Sequence, residues 1–196
     1  MDEACAFVLA GGRSSRMGQD KAFLTFEGST LLDRALSTAR QVVRAVRIVG
    51  SAENFQAFAD TVEDQFPDHG PLGGIHAALR ASNFDRNLIL AVDMPFLEPM
   101  WLAFLLEQSR SSNAVVTLPR GEKGWQPLCG VYRREFADLA EPALQAGCNR
   151  IDTLFANISP RVIDERELAS HGFCPEMFRN LNTPEEFERV ALVKKN

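Results

Sequence analysis

The sequence has 196 residues, 45% of them hydrophobic and 24% charged, with a formal net charge of −5. That is chain enough to bury a sizeable core in a single domain spanning 1–196, and its acidic balance excludes the broad basic surface that tracks nucleic acid. The four cysteines (Cys5, Cys129, Cys148, Cys174) form no C-x-x-C pair and the three histidines (His69, His76, His171) show no metal-ligand spacing, so neither a zinc module nor a dithiol redox centre is expected. No apolar run approaches a membrane span and no basic-then-apolar leader opens the chain, so a reducing cytoplasmic setting without membrane partners is expected.

In chain order, Ala6–Ala10 is an apolar run that stops at Gly11-Gly12. Residues 30–45 carry Leu31, Leu32, Ala35, Leu36, Ala39, Val42 and Val43 on one helical face, with Ser29 or Thr30 as cap. Val46–Val49 reads as a second strand ended by Gly50, Asn54–Ala59 as weakly helical and Thr61–Glu63 as a short strand. "HGPLGGIHAALRAS" is a glycine-rich loop entering a helix, and "NLILAV" (87–92) is apolar throughout, as in a strand covered on both faces. A helix follows from about Glu98 with Pro99 in its first turn. Ala114–Leu118 and Leu128–Tyr132 are strands separated by the loop "PRGEKGWQP"; 134–146 and 149–156 are helical. Thr183, Pro184 and Glu186 have the spacing of a capped final helix. Strands alternating with helices predict a three-layer α/β/α fold, Rossmann-like, with a mostly parallel central sheet, and such sheets bind ligands at the carboxyl ends of their strands. Gly11-Gly12, Asp64, Gly73-Gly74 and Asp93 all follow predicted strands and should share that edge.

The segment "VLAGGRSSRMGQDKAFL" (8–24) gathers Arg13, Arg16 and Lys21 beside a glycine pair in an acidic chain. Glycines let backbone N–H groups approach a ligand, and cations neutralise its anionic oxygens, a combination suited to a phosphate chain. It is not a P-loop, because five residues separate Gly12 from Gly18 and Gln19 follows, nor does the pair have the G-x-G-x-x-G spacing of a dinucleotide fold. That spacing also argues against a nicotinamide oxidoreductase.

"LAGGRSSRMGQDK" resembles the signature loop of nucleotidyltransferases with a glycosyltransferase-A-like fold (the nucleotide-diphospho-sugar transferase fold), and most closely that of the molybdenum cofactor guanylyltransferase family. "VEDQFPDHGPLGGIHAAL" (62–79), "AVDMPFL" (91–97), "QPLCGVY" (126–132) and "LNTPEE" (181–186) match in the same order. The double glycine of the first motif and "NTPEE" favour the guanylyl member. The resemblance implies that Leu9, Ala10, Gly11 and Gly12 contact the nucleotide, and that Lys21, with Arg16, binds and stabilises its phosphates. It further implies that Asp64 holds the nucleoside, that Asp93 holds Mg²⁺, and that Asn180 and Asn182 meet the pterin. Gly50 stands where the family often has an asparagine that touches the nucleotide; Ser51 or Asn54 would take its place.

The implied reaction joins GMP from GTP to the terminal phosphate of Mo-molybdopterin, with the amino-terminal half holding nucleotide and the carboxy-terminal half the acceptor. The product would pass to molybdoenzymes or cofactor-delivery proteins. The nucleophile is an anionic phosphate oxygen, which suits a chain with no obvious triad. Bland readings stand beside these: Asp93 as a turn residue before Pro95, Asp64 as a loop carboxylate, Gly73-Gly74 as a helix entry, Asn180 and Asn182 as turn polars, Trp125 and Gln126 as strand closure rather than acceptor contacts. A cytidylyltransferase, a sugar-phosphate nucleotidyltransferase of the same fold and an inactive nucleotide-binding module are the rival functions.

Overall fold

The computed structural model describes residues 4–11, 20–122, 124–181 and 186. Its axis is β1 (Ala4–Leu9), all six residues of which are buried. After the 3-10 turn Lys21–Phe23 come a small hairpin, β2 (Thr25–Phe26) and β3 (Ser29–Thr30), then α1 (Leu31–Arg40), β4 (Ala45–Val49), α2 (Ala52–Phe55) and β5 (Thr61–Val62). Next are α3 (Pro71–Ala81), β6 (Arg86–Ala91), α4 (Pro99–Arg110), β7 (Val116–Gly121), β8 (Gly124–Trp125) and β9 (Cys129–Arg133). The described elements end with α5 (Phe136–Gln145), α6 (Ile151–Phe155), β10 (Arg161–Ile163), α7 (Glu165–Ser170) and a 3-10 turn, Pro175–Phe178.

The central sheet runs β10-β7-β9-β6-β1-β4-β5, with β8 paired to β7. β1, β4, β5 and β6 are mutually parallel, β10 is parallel to β7, and β9 is antiparallel to both β6 and β7. Alternation along β1 assigns the two faces. Cys5, Phe7 and Leu9 pack with apolar side chains of α3, α5 and α6. Ala4 and Ala6 share an apolar cluster with residues of α4 and α7, and Val8 shares one with residues of α1. The expected three-layer, mostly parallel architecture is therefore present.

Several element boundaries differ from the sequence reading. The helix expected over 30–45 is Leu31–Arg40: Thr30, not Ser29, caps it by accepting from Asp33 N at 3.0 Å. Val42 and Val43 leave the helix in a turn on Ala39 O, and β4 already begins at Ala45. The weak helix expected over Asn54–Ala59 is a single turn lying earlier, Ala52–Phe55. The loop expected at 119–127 contains the end of β7 and the antiparallel β8, and its pairing of Arg120 with Trp125 places the Arg120 guanidinium 4.6 Å from the Trp125 ring centre. The final helix expected from Thr183 lies outside the described residues apart from Glu186, which is helical.

Candidate active site

The parallel register sets Leu9 beside Ala91 and Val49, and Val49 beside Val62. The residues that follow this row line one edge of the sheet: Ala10 and Gly11 after β1, Gly50 after β4, Asp64 after β5 and Asp93 after β6. Cys129 opposes Leu90, and Leu128 O accepts from Ala91 N at 2.8 Å, which brings Gln126–Leu128 to the same edge. Trp125 lies there too, its ring edge-on to Phe155 at 5.3 Å. Gly12, Arg13, Arg16 and Asn182 lie outside the described residues.

Lys21 and Asp93 meet across this edge, Nζ to Oδ2 3.6 Å, with side chains 22% and 18% exposed. Lys21 is aimed by its turn: Asp20 accepts from Ala22 N at 3.1 Å, and Ala22 is fully buried. Burial pushes the Asp93 carboxyl above its ordinary value, and the neighbouring Lys21 ammonium partly offsets this. The Asp93 carbonyl accepts from Leu181 N at 2.9 Å. Leu181 is fully buried and Asn180 exposed, as expected if the apolar residue anchors the segment and the amide faces outward.

At the β1 end, the N–H groups of Ala10 and Gly11 both donate to Val49 O, at 3.0 and 3.1 Å. Any contact these two residues make with a ligand therefore falls to their carbonyls rather than to their donors. A Cβ on Gly11 would stand 3.4 Å from the Gly50 Cα, so the two strand ends are drawn close. Gly50 itself has no room for a side chain: a Cβ there would lie 2.7 Å from the Phe55 ring. Phe55 is in turn stacked on Phe23, centroids 5.6 Å apart. An asparagine at this position would have to displace the Phe55 ring, a contact invisible to the sequence reading. Ser51 and Asn54 are both exposed beside it.

Asp64 accepts from Phe66 N at 2.8 Å, and its carboxylate lies against α3 where Gly73 gives it space: a Cβ on Gly73 would fall 2.8 Å from Oδ2. Gly74 packs on Leu9, its added Cβ 3.1 Å from Leu9 Cδ2. The glycine pair therefore lets α3 approach both the sheet and Asp64. Cys5 and Cys129 are buried, with thiols pushed by burial to about 11 and about 12, which leaves them poor nucleophiles. Among the described residues no group of three or more His, Cys, Asp or Glu could hold a metal ion, and no helix is long and apolar enough to cross a membrane.

The open, mostly parallel sheet is that of the nucleotide-diphospho-sugar transferase fold, and the protein is a nucleotidyltransferase. Residues 6–160 match the model of the MobA-like NTP transferase domain, and the chain belongs to that family. It is similar to a probable molybdenum cofactor guanylyltransferase of Pelotomaculum thermopropionicum, 31% identical over 100% of this chain and 96% of that one. A molybdenum cofactor guanylyltransferase of Desulfosudis oleivorans is 32% identical over 97% of this chain and 95% of its own. The crystal structure of molybdopterin-guanine dinucleotide biosynthesis protein A from Archaeoglobus fulgidus superposes with a TM-score of 0.83 at 25% identity, covering 97% of this chain and 99% of that one.

Proposed function

We propose that the protein transfers GMP from GTP to the terminal phosphate of Mo-molybdopterin and releases pyrophosphate. The observation that carries this reading is the Lys21–Asp93 pair at the sheet edge of a chain similar over its whole length to guanylyltransferases. A terminal phosphate oxygen of the acceptor forms the new bond to the α-phosphorus of GTP, and the bond from that phosphorus to the β-phosphate bridging oxygen breaks. The attacking oxygen is already anionic, so no side chain has to remove a proton from it. The protein's work is to align two polyanions and to offset their charge.

Lys21, with Arg16, stabilises the β- and γ-phosphates as they leave. The carbonyls of Ala10 and Gly11, with Leu9, Gly12 and Asp64, hold the nucleoside in the amino-terminal half. Asn180 and Asn182 hold the pterin in the carboxy-terminal half; an amide supplies both donors and an acceptor for its ring edge. A divalent cation fits this donor set. Mg²⁺ is bound through one or two carboxylates with substrate phosphates and water completing its shell, and Asp93 is one carboxylate on a strand end that faces the edge. Asp93 would hold the Mg²⁺, which when bound supplies charge neutralisation at the reacting phosphates. The dinucleotide product suits transfer to molybdoenzymes or cofactor-delivery proteins.

The test is pyrophosphate release with GTP, CTP and ATP on Mo-molybdopterin in the presence of Mg²⁺. GTP is expected to turn over fastest. Faster turnover with CTP would move the protein to the cytidylyl reaction, and no release with any nucleotide would leave a binding module.

A further inference from the structure

We infer that Leu181 is a positioning residue for Asp93, and that through it the acceptor-side segment sets how well the nucleotide-side carboxylate is aimed. The inference rests on the reading of Asp93 as the metal-holding group given above.

Asp93 lies one residue beyond the last main-chain tie of its strand to β1, in which Val92 N donates to Leu9 O at 3.2 Å. From there the chain turns through Met94 and Pro95. The Asp93 carbonyl is held from outside the sheet, by Leu181 N at 2.9 Å. The residues on either side of Asp93 belong to apolar clusters that the same distant segment joins. Val92 shares an apolar cluster with Leu181, and Met94 shares another with Met177 and Phe178. Phe178 is fixed in its turn by the buried Trp101, edge-on at 5.3 Å, and Trp101 also stacks edge-on with Phe173 at 5.1 Å. The segment 173–181 is therefore pinned to α4 at one end and clamps the Asp93 turn at the other. Asn180, the exposed neighbour of Leu181, rides on that clamp.

A carboxylate whose own carbonyl is hydrogen-bonded and whose two neighbours are buried loses little freedom when it takes a cation, so the clamp pre-orients it. Without the Leu181 N–H, the Asp93 carbonyl would turn to water and the carboxylate would sample other directions. The cost falls on the cation and on turnover, not on the nucleotide, whose phosphates meet Lys21.

The experiment replaces the Leu181 amide by an ester, by incorporating the α-hydroxy analogue of leucine at that position. The side chain stays and the single N–H donor goes. Mn²⁺ binding is followed by electron paramagnetic resonance with GTP present, GTP binding by calorimetry in EDTA, and turnover as a function of Mg²⁺. The expected result is a roughly three- to ten-fold weaker Mn²⁺ affinity, the size of one lost hydrogen bond. Metal-free GTP affinity should not fall, since any loosening of Asp93 also releases Lys21, and the rate deficit should shrink at high Mg²⁺. Leu181→Ala, which keeps the N–H and loses the anchor, should shift Mn²⁺ affinity in the same direction. Unaltered Mn²⁺ affinity in either folded variant, with any loss confined to the KM for the pterin, overturns the inference and leaves Leu181 a fastener of the acceptor segment. Failure of the parent protein itself to bind Mn²⁺ with GTP would instead overturn the metal role of Asp93.

Discussion

Asp93→Asn should bind GTP more tightly than the parent protein when no metal is present, although it should lose most of its Mg²⁺-dependent turnover. Lys21 lies 3.6 Å from the Asp93 carboxylate, so a triphosphate arriving without its cation must compete for Lys21 and meet a negative charge as well. Coulomb's law at 3.6 Å gives about 1.2 kcal/mol at the dielectric constant of water and about 4.6 kcal/mol at an effective value of 20. Both side chains retain contact with solvent, at 22% and 18% exposure, which favours the lower part of that range. Removing the carboxylate should therefore gain about 1–2 kcal/mol, or roughly 5- to 30-fold in affinity. Calorimetry with GTP in EDTA at low ionic strength reads this directly, and the gain should shrink with added salt. Equal or weaker metal-free binding by a variant with a normal melting curve would refute the argument, because it would mean that Lys21 and Asp93 do not face the same phosphates.

The same substitution should also change stability with pH. Burial raises the native Asp93 carboxyl above its ordinary value in an unfolded chain. Between that value and the raised one the folded state binds more protons than the unfolded, so stability falls as pH rises through this window and then levels. Asp93→Asn should accordingly melt higher than the parent at neutral pH, with the difference vanishing below the unfolded-state value. A constant offset at every pH would assign the effect to something other than ionisation. Lys21→Ala should weaken GTP far more than GMP, which lacks the β- and γ-phosphates; an equal loss in calorimetry would place Lys21 elsewhere on the nucleotide. Gly50→Ala should destabilise the fold by about 1–3 kcal/mol, since its Cβ would lie 2.7 Å from the Phe55 ring, and a neutral denaturation midpoint would show that Phe55 moves aside at no cost. The double variant Asn180→Ala, Asn182→Ala should keep its GTP affinity and lose about 1–3 kcal/mol of Mo-molybdopterin affinity. Separate titrations decide it: a loss confined to GTP would shift the acceptor search to Trp125 and Gln126.

The strands that build the site were legible because each is an apolar run cut short by a glycine or an aspartate. Ala4–Leu9 and Arg86–Ala91 lie within two residues of their sequence expectations. What escaped detection was short or non-local. β2 and β3 are two residues each, joined by Glu27 and Gly28 at φ 49° and 84°, a left-handed pair for which Glu is an unusual first residue. α7 does carry a readable signal, Asp164 accepting from Glu167 N at 2.9 Å, but six residues give too little periodicity to stand out. The overlong first helix has a similar cause: Val42 and Val43 continue its apolar face in sequence and in packing while the backbone has already turned. Phe55 over Gly50 and Leu181 against Asp93 join parts of the chain that no local pattern relates.

One small apolar cluster accounts for how those distant parts become a single site. Ala10, Ala22, Phe55, Val92 and Leu181 all belong to it, with Val8, Ile48 and the inner face of α1. Ala10 precedes Gly11, Ala22 follows Lys21, Phe55 covers Gly50, Val92 precedes Asp93, and Leu181 follows Asn180. In each case a buried side chain lies beside a glycine, a charged residue or an amide at the sheet edge. Such an arrangement meets the need of a reaction between two polyanions. Lys21 and Asp93 keep part of their surface in solvent, at 22% and 18% exposure, and so can exchange partners, while their main chain is held with the precision of a close-packed core. Placement of the main chain by that cluster is what brings Lys21 to where the phosphates are expected.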